Sequence, residues 1–136
     1  MVKVSSLNTF NENSTNPLIV GSLDINKIYS LIGIRFLVSD VYIYPGAIKH
    51  IKRQHPGIWE QYGHLLPTII HSPDYIGRNP KVADSIELYK QIGDHMLLAI
   101  KLDPTGYLFV SSLYELQNAT VKIQKRLASQ RIVPFK

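Results

Sequence analysis

Three apolar runs separated by short turns constrain the fold of this chain more than any other feature of its sequence. The runs cover residues 86–92, 96–102 and 107–113 and are rich in residues that favour β-strands. The segments between them, Gly93-Asp94-His95 and Asp103-Pro104-Thr105-Gly106, have the composition of hairpin loops. The pattern therefore predicts an antiparallel meander of three strands.

The lengths of the two loops determine which side chains share a face of this meander. Loops of three and four residues give one apolar face, with Ile86, Leu88, Ile92, Met96, Leu98, Ile100, Leu102, Tyr107, Phe109 and Leu113. The other face carries Tyr89, Gln91, Lys101, Ser112 and Tyr114 among the apolar Leu97, Ala99, Leu108 and Val110. This polar set suits a site that binds an anion, and it also fits the solvent face of an ordinary antiparallel sheet.

Helical patterns flank the meander on both sides. Before it we expect a strand at 18–20, a helix from Asp24 to Gly33, a strand at 40–44, a helix from Pro45 to His55, and a helix at 57–72 that Pro67 kinks or splits. A loop at 77–80 leads into the meander, and a helix at 115–131 follows it. The order predicts a single α+β domain at residues 18–136, with N-terminal helices packed on the sheet and a C-terminal helix. Residues 1–17 are rich in Asn, Ser and Thr and are expected to form a polar lead-in or linker.

Composition narrows the class of protein. The 136 residues suit one domain, and no apolar run approaches the ~18 residues of a membrane span. The first residues lack the pattern of a signal peptide. The chain has no cysteine, which excludes disulfides, thiolate catalysis and cysteine-ligated zinc and fits a reducing compartment.

The positive charge of the chain is concentrated in its last two-thirds. Residues 45–136 hold twelve of the fifteen lysines and arginines and seven of the ten acids, so the whole net charge of +5 lies there. A basic excess of this kind favours a polyanionic partner, with nucleic acid first, and it is also compatible with a solubilising surface.

Two histidines and three cations lie within the predicted helix that starts at Pro45. His50 and His55 are interleaved with Lys49, Lys52 and Arg53. This combination suits acid–base chemistry on a phosphate, because imidazole titrates near neutrality and the cations supply fixed positive charge. In a straight helix the two rings would point about 140° apart. Pro56 is expected to end the helix at His55 and so to free that ring. A surface His50 and a capping His55 explain the pattern equally well.

The order of these pieces resembles a known family. The helix with His50 and His55, the segment Ser72-Pro73-Asp74-Tyr75-Ile76-Gly77, and the strands at 97–101 and 106–114 are together similar to a phage-associated nuclease-like domain. That domain belongs to the superfamily uniting barnase, EndoU, the tRNase colicins and RelE. The resemblance covers about residues 18–125 and implies a four-stranded antiparallel sheet, so we expect the sheet to have three to four strands.

The resemblance also implies an endoribonuclease that needs no metal or other cofactor and cleaves RNA through attack of the 2′-hydroxyl on the adjacent phosphate. His50 would act as the general base and His55 as the general acid, and Lys101, Ser112 and Tyr114 would stabilise the charged intermediate. Such domains often have threonine where this chain has Ser112. Residues expected to contact the substrate are Lys49, Lys52, Arg53, Arg78 and Tyr89.

The expected partners are RNA, either tRNA or mRNA, and an inhibitor or immunity protein if the domain acts as a toxin. The expected location is the cytoplasm of a bacterial host, without membrane association. Two other functions remain open. One is a non-catalytic inhibitor or adaptor that binds nucleic acid or protein on the same fold. The other, less favoured, is a metal-dependent hydrolase, because two histidines without a nearby carboxylate or cysteine make a poor zinc site.

Overall fold

A computed structural model describes residues 16–82, 84–92 and 94–136, so the predicted lead-in lies almost wholly outside the described residues. The elements in chain order are β1 (Leu18–Ser22), α1 (Ile25–Ile32), β2 (Asp40–Ile43), α2 (Pro45–Gln54), α3 (Ile58–Tyr62), a 3₁₀ turn (Gly63–Leu65), α4 (Leu66–His71), β3 (Tyr75–Arg78), β4 (Ser85–Ile92), β5 (Asp94–Leu102), β6 (Leu108–Glu115), α5 (Ala119–Ala128) and β7 (Ile132–Pro134).

The strands of the described residues form one seven-stranded mixed sheet in the order β1-β2-β6-β5-β4-β3-β7. The predicted meander is its centre, because β4 pairs antiparallel with β5 and β5 with β6. The expectation of a three- to four-stranded antiparallel sheet with N-terminal helices packed on it is wrong. Four further strands extend the sheet on both sides, and β2 runs parallel to β6.

Two of the additional strands are too short for their pattern to show in the sequence. The second half of β3 falls in the segment 77–80 that is predicted as a loop. β7 has three residues and ends in a proline, which suits an edge strand. The two pair antiparallel, with Gly77 opposite Ile132. A Cβ at Gly77 would overlap the Arg131 carbonyl oxygen, so the missing side chain lets β7 approach.

The helix boundaries that depend on local signals are confirmed. Asp24 accepts a hydrogen bond from the backbone N–H of Lys27 at the start of α1, and Gly33 ends that helix in the left-handed conformation. The predicted helix at 57–72 is split into α3, the 3₁₀ turn and α4, with Pro67 in the first turn of α4. The C-terminal helix is shorter than predicted, because β6 continues to Glu115 and β7 follows.

The sheet separates two hydrophobic clusters. The first face carries the larger cluster, to which α1, α2 and α4 contribute, and includes Val41, Leu98 and Val110. The second face carries a smaller cluster that α5 covers, with Tyr89 and Leu97 at its centre. The N-terminal helices and α5 therefore lie on opposite sides of the sheet.

A β-bulge in β6 changes the faces predicted for its first half. Ala99 pairs with Ser112 but Ile100 pairs with Val110, so Ser111 is the extra residue. Leu108 and Val110 consequently belong to the core of the first face, and Phe109 shares the second face with its partner Lys101. The predicted placement of Leu108, Val110, Tyr107 and Phe109 is therefore wrong. The faces of β4 and β5 are as predicted, although Asp94, predicted to be in the loop, pairs with Ile92.

Candidate active site

The end of α2 brings a histidine onto the edge of the second face. β2 pairs with β6 at Val41–Leu108 and Tyr42–Phe109, and α2 then packs beside the rest of β6. α2 ends at His55, whose backbone leaves the helical region, as Pro56 predicted. The His55 ring stacks on the ring of Tyr114, with centroids 5.3 Å apart and an interplanar angle of 23°. Two of the predicted site residues are thus in direct contact.

The second predicted histidine lies elsewhere on α2. His50 is exposed, and its Nδ1 lies 3.5 Å from a terminal guanidinium nitrogen of Arg53. Lys49 and Arg53 are exposed on the same helix, and Lys52 is half-buried. The two rings therefore have different neighbours, since His50 lies against Arg53 whereas His55 stacks on Tyr114.

The polar residues predicted on the meander share the second face with Tyr114. Tyr114 pairs with Leu97 and Ser112 pairs with Ala99, and both partners belong to the cluster of the second face. Lys101 follows at the next position of that face on β5 and is half-buried. Tyr114, Ser112 and Lys101 therefore share the second face, and His55 contacts the first of them.

A buried ionic network lies on the same face, farther towards α5. Arg131 donates to both carboxylate oxygens of Glu87, at 2.9 and 3.1 Å, and the Glu87 side chain is only 5% exposed. The Tyr89 hydroxyl donates to Glu87 at 3.2 Å and accepts a hydrogen bond from Arg126 at 2.7 Å. Burial and the neighbouring Glu87 raise the pKa of Tyr89 to about 12. Tyr89, predicted to contact the substrate, is fully buried beneath Arg126.

The charges of Glu87, Arg126 and Arg131 also act on Tyr114, whose ring stacks on His55. Burial raises the pKa of Tyr114, the negative charge of Glu87 raises it further, and Arg126 and Arg131 oppose the shift. Tyr114 is therefore a neutral hydroxyl at physiological pH, within the electrostatic reach of two guanidinium groups. Sequence reasoning missed Glu87, Arg126 and Arg131. The available signal was a single acidic residue in the middle of an otherwise buried strand, which requires a cationic partner.

Arg78, also predicted to contact the substrate, lies apart from this surface. It pairs with Ile86 of the first-face core, and its guanidinium donates to the carbonyl oxygen of Ile32 in α1 at 3.1 Å. With Arg35 it lines a cavity of about 510 Å³. The structure thus brings Arg78 to α1 and not to His55.

An aromatic cluster of four rings lies at the other end of α2. It consists of Tyr42, Tyr44, Tyr107 and Phe109, and Tyr107 contacts the other three rings at centroid distances of 6.4, 6.1 and 5.8 Å. All four are half-buried. In the described part of the chain, no group of three or more His, Asp or Glu side chains is placed to hold a metal ion. Among the described helices, none is both long and apolar enough to cross a bilayer.

The fold and this surface can be compared with known proteins. A family model described as phage-Barnase-EndoU-ColicinE5/D-RelE like nuclease3 matches residues 18–123. The match covers both α2 and the central strands, and the chain belongs to this family of phage-associated, nuclease-like domains. A search of curated proteins and a search of solved structures each returned no match. Membership in the family indicates a nuclease function and, with it, a nucleic acid as substrate.

Proposed function

We propose that this protein is a metal-independent endoribonuclease that uses histidine acid–base catalysis. The observation that carries the proposal is the His55 ring stacked on Tyr114, on a sheet face that also bears Ser112 and Lys101. An imidazole held by a neighbouring ring can exchange a proton with a substrate oxygen, and nearby donors and a cation can stabilise charge on the phosphorus centre.

In the proposed reaction, His50 takes the proton of the 2′-hydroxyl, and the 2′-oxygen forms a bond to the adjacent phosphorus. The bond from phosphorus to the 5′-oxygen breaks, and His55 gives its proton to that oxygen. The products are a 2′,3′-cyclic phosphate and a free 5′-hydroxyl. Lys101 stabilises the negative charge of the intermediate, and the hydroxyls of Ser112 and Tyr114 donate hydrogen bonds to it.

The cations of α2 suit the binding of the substrate backbone. Lys49, Lys52 and Arg53 lie on the helix that ends at His55, where they can contact phosphates on either side of the cleaved bond. If they do, the logarithm of the association constant for single-stranded RNA falls with the logarithm of salt concentration by about 0.7 for each neutralised phosphate.

The test is cleavage of a labelled RNA in the presence of EDTA, with the matching DNA in parallel. Wild-type protein should produce cyclic-phosphate ends from RNA and leave DNA intact, because DNA lacks the nucleophile. His55→Ala and His50→Ala should each slow cleavage by about a hundredfold to ten-thousandfold. His64→Ala is the matched control, since His64 is an exposed histidine of the 3₁₀ turn, and it should keep wild-type activity.

Three outcomes contradict the proposal in different ways. Activity that needs an added divalent ion removes the metal-independent mechanism. Full activity in the double variant His50→Ala, His55→Ala removes the histidine mechanism. Salt-dependent RNA binding without cleavage indicates a binding module on the nuclease fold instead of an enzyme.

A further inference from the structure

The aromatic cluster of Tyr42, Tyr44, Tyr107 and Phe109 has no role in the proposed cleavage. Phe109 pairs with both Lys101 and Tyr42, so the cluster adjoins the proposed catalytic surface on the second face. Its rings are half-buried, whereas core residues of the neighbouring strands, such as Val41 and Val110, are at most 1% exposed. The cluster therefore presents ring surface to the solvent beside a lysine.

We infer that this cluster binds unpaired nucleobases of the RNA a few nucleotides from the cleaved phosphate, so that the substrate is single-stranded. The inference rests on the proposed function and adds a base-binding subsite to it. Aromatic side chains on a sheet, combined with cations that follow the backbone, are the means by which proteins hold single-stranded nucleic acid.

The placement of α2 connects the two parts of the site. Tyr44 precedes the first residue of α2 and contacts Tyr107, whereas His55 follows the last residue and contacts Tyr114. The ten residues of α2 span about 15 Å. The exposed Lys49 and Arg53 lie between these ends. An RNA strand with bases on the aromatic cluster can thus carry its phosphates along α2 to His55.

The charge state of the cluster is compatible with a polyanion. A hydrogen bond with Tyr44 is the main cause that raises the pKa of Tyr107 to about 12, and the nearby Asp103 adds to the effect. Tyr107 is therefore neutral across the physiological range. The neutral ring itself adds no repulsion to the phosphates that accompany a stacked base, whereas the neighbouring Asp103 carboxylate is negative, because hydrogen bonds with Thr105 lower its pKa.

The experiment measures binding and does not depend on cleavage. Fluorescence anisotropy compares a labelled 2′-O-methyl octanucleotide, which lacks the nucleophile, with an abasic backbone of the same length and with a duplex of the same sequence. Base–aromatic stacking predicts that wild-type protein binds the octanucleotide about 5- to 150-fold more tightly than the abasic backbone. The duplex should also bind more weakly, because its bases are paired and stacked.

Leucine substitutions show whether binding needs an aromatic ring or only an apolar side chain of similar volume. Tyr107→Leu and Phe109→Leu should each lower affinity for the octanucleotide and leave affinity for the abasic backbone unchanged, whereas Tyr107→Phe should retain wild-type binding. Tyr29→Leu is the control, since Tyr29 is an exposed tyrosine of α1 that packs against Arg35. If a leucine variant fails to fold, the inference is tested by the affinities of wild-type protein for the octanucleotide and for the abasic backbone.

Equal affinity of wild-type protein for the octanucleotide and the abasic backbone would overturn the inference. The inference would also be overturned if Tyr107→Leu lost the same affinity for both ligands. A loss shared by both ligands indicates a damaged fold or a lost charge and not a lost base contact. Failure of this inference is distinguishable from failure of the proposed function. RNA cleavage without base-dependent binding supports the proposed nuclease function and contradicts the aromatic subsite. Base-dependent binding without cleavage supports the aromatic subsite and contradicts the nuclease function.

Discussion

Replacing Arg131 by leucine is expected to destabilise the protein far more than removing a cation from its surface. Arg131 donates two hydrogen bonds from one guanidinium nitrogen and a third, at 3.3 Å, from Nε to Glu87, whose side chain is 5% exposed. Arg131→Leu leaves a buried carboxylate whose remaining hydrogen-bond donor is Tyr89. Removing one member of a buried pair costs roughly 3–5 kcal/mol. The lower end applies, about 3 kcal/mol, because the Arg131 side chain is 28% exposed.

Thermal unfolding followed by circular dichroism measures this loss. With an unfolding entropy of about 2.1 cal/mol/K per residue, a chain of 136 residues should lose about 10 °C in Tm. The control is Lys90→Met, which removes an ion pair at 3.6 Å to Asp74, whose side chain is 40% exposed, and a hydrogen bond at 2.8 Å to the Ser72 carbonyl oxygen. That variant should lose about 1–2 kcal/mol, because neither acceptor is left as a buried charge.

A double-mutant cycle tests the physical cause. Glu87→Gln removes the buried charge, so adding it to Arg131→Leu should recover at least about 1 kcal/mol. The reasoning is refuted if Arg131→Leu is no worse than Lys90→Met. It is also refuted if the two substitutions at Glu87 and Arg131 are simply additive, because an isolated buried charge requires strong coupling between them.

Two further substitutions probe the second face and the sheet edge. Tyr89 stays protonated in the fold up to a pKa of about 12, so its contribution to stability is complete below pH 10 and is lost as the pH rises to 12. The free energy of unfolding in urea should therefore fall by about 3 kcal/mol less between pH 10 and pH 12 in Tyr89→Phe than in wild-type protein. An equal fall in both proteins would contradict the raised pKa of Tyr89. Gly77→Ala should cost about 1–3 kcal/mol and expose the β7 amides to hydrogen exchange, because its Cβ would also lie 2.8 Å from Ile132 Cγ2. Gly46→Ala, with no atom within 4 Å of the new Cβ, should be neutral or slightly stabilising, and an equal loss in both variants would refute the steric cause.

The parts of the fold that sequence predicted correctly are those whose determinants are local. The carboxylate of Asp24 and the backbone freedom of Gly33 act within one turn of α1, and Pro67 interrupts the helix in which it stands. The hairpins of the central meander bring together strands that follow one another directly. Hydrogen bonding and steric exclusion over a few residues leave a readable pattern.

The candidate site was predictable in part for the same reason. Pro56 disfavours the α conformation at His55, so the local sequence predicts where α2 ends. The His55 ring stacks on Tyr114, which lies about sixty residues later in the chain. This contact depends on how α2 packs beside β6. The catalytic roles of His50, His55, Lys101, Ser112 and Tyr114 all remain predictions. Arg78 lies beside α1 because β3 is part of the sheet.

Local sequence patterns suffice to predict the central strands, the ends of the N-terminal helices and the presence of imidazoles and cations together on one helix. The strands β3 and β7 depend on tertiary contacts, since they are too short to show a period and form only against each other and β4. Tertiary structure also decided the bulge at Ser111, which turns Phe109 from the core to the second face, and the burial of Glu87 against Arg131. Both depend on residues far apart in the chain, and the energy of such contacts is not encoded in the periodicity of any single segment.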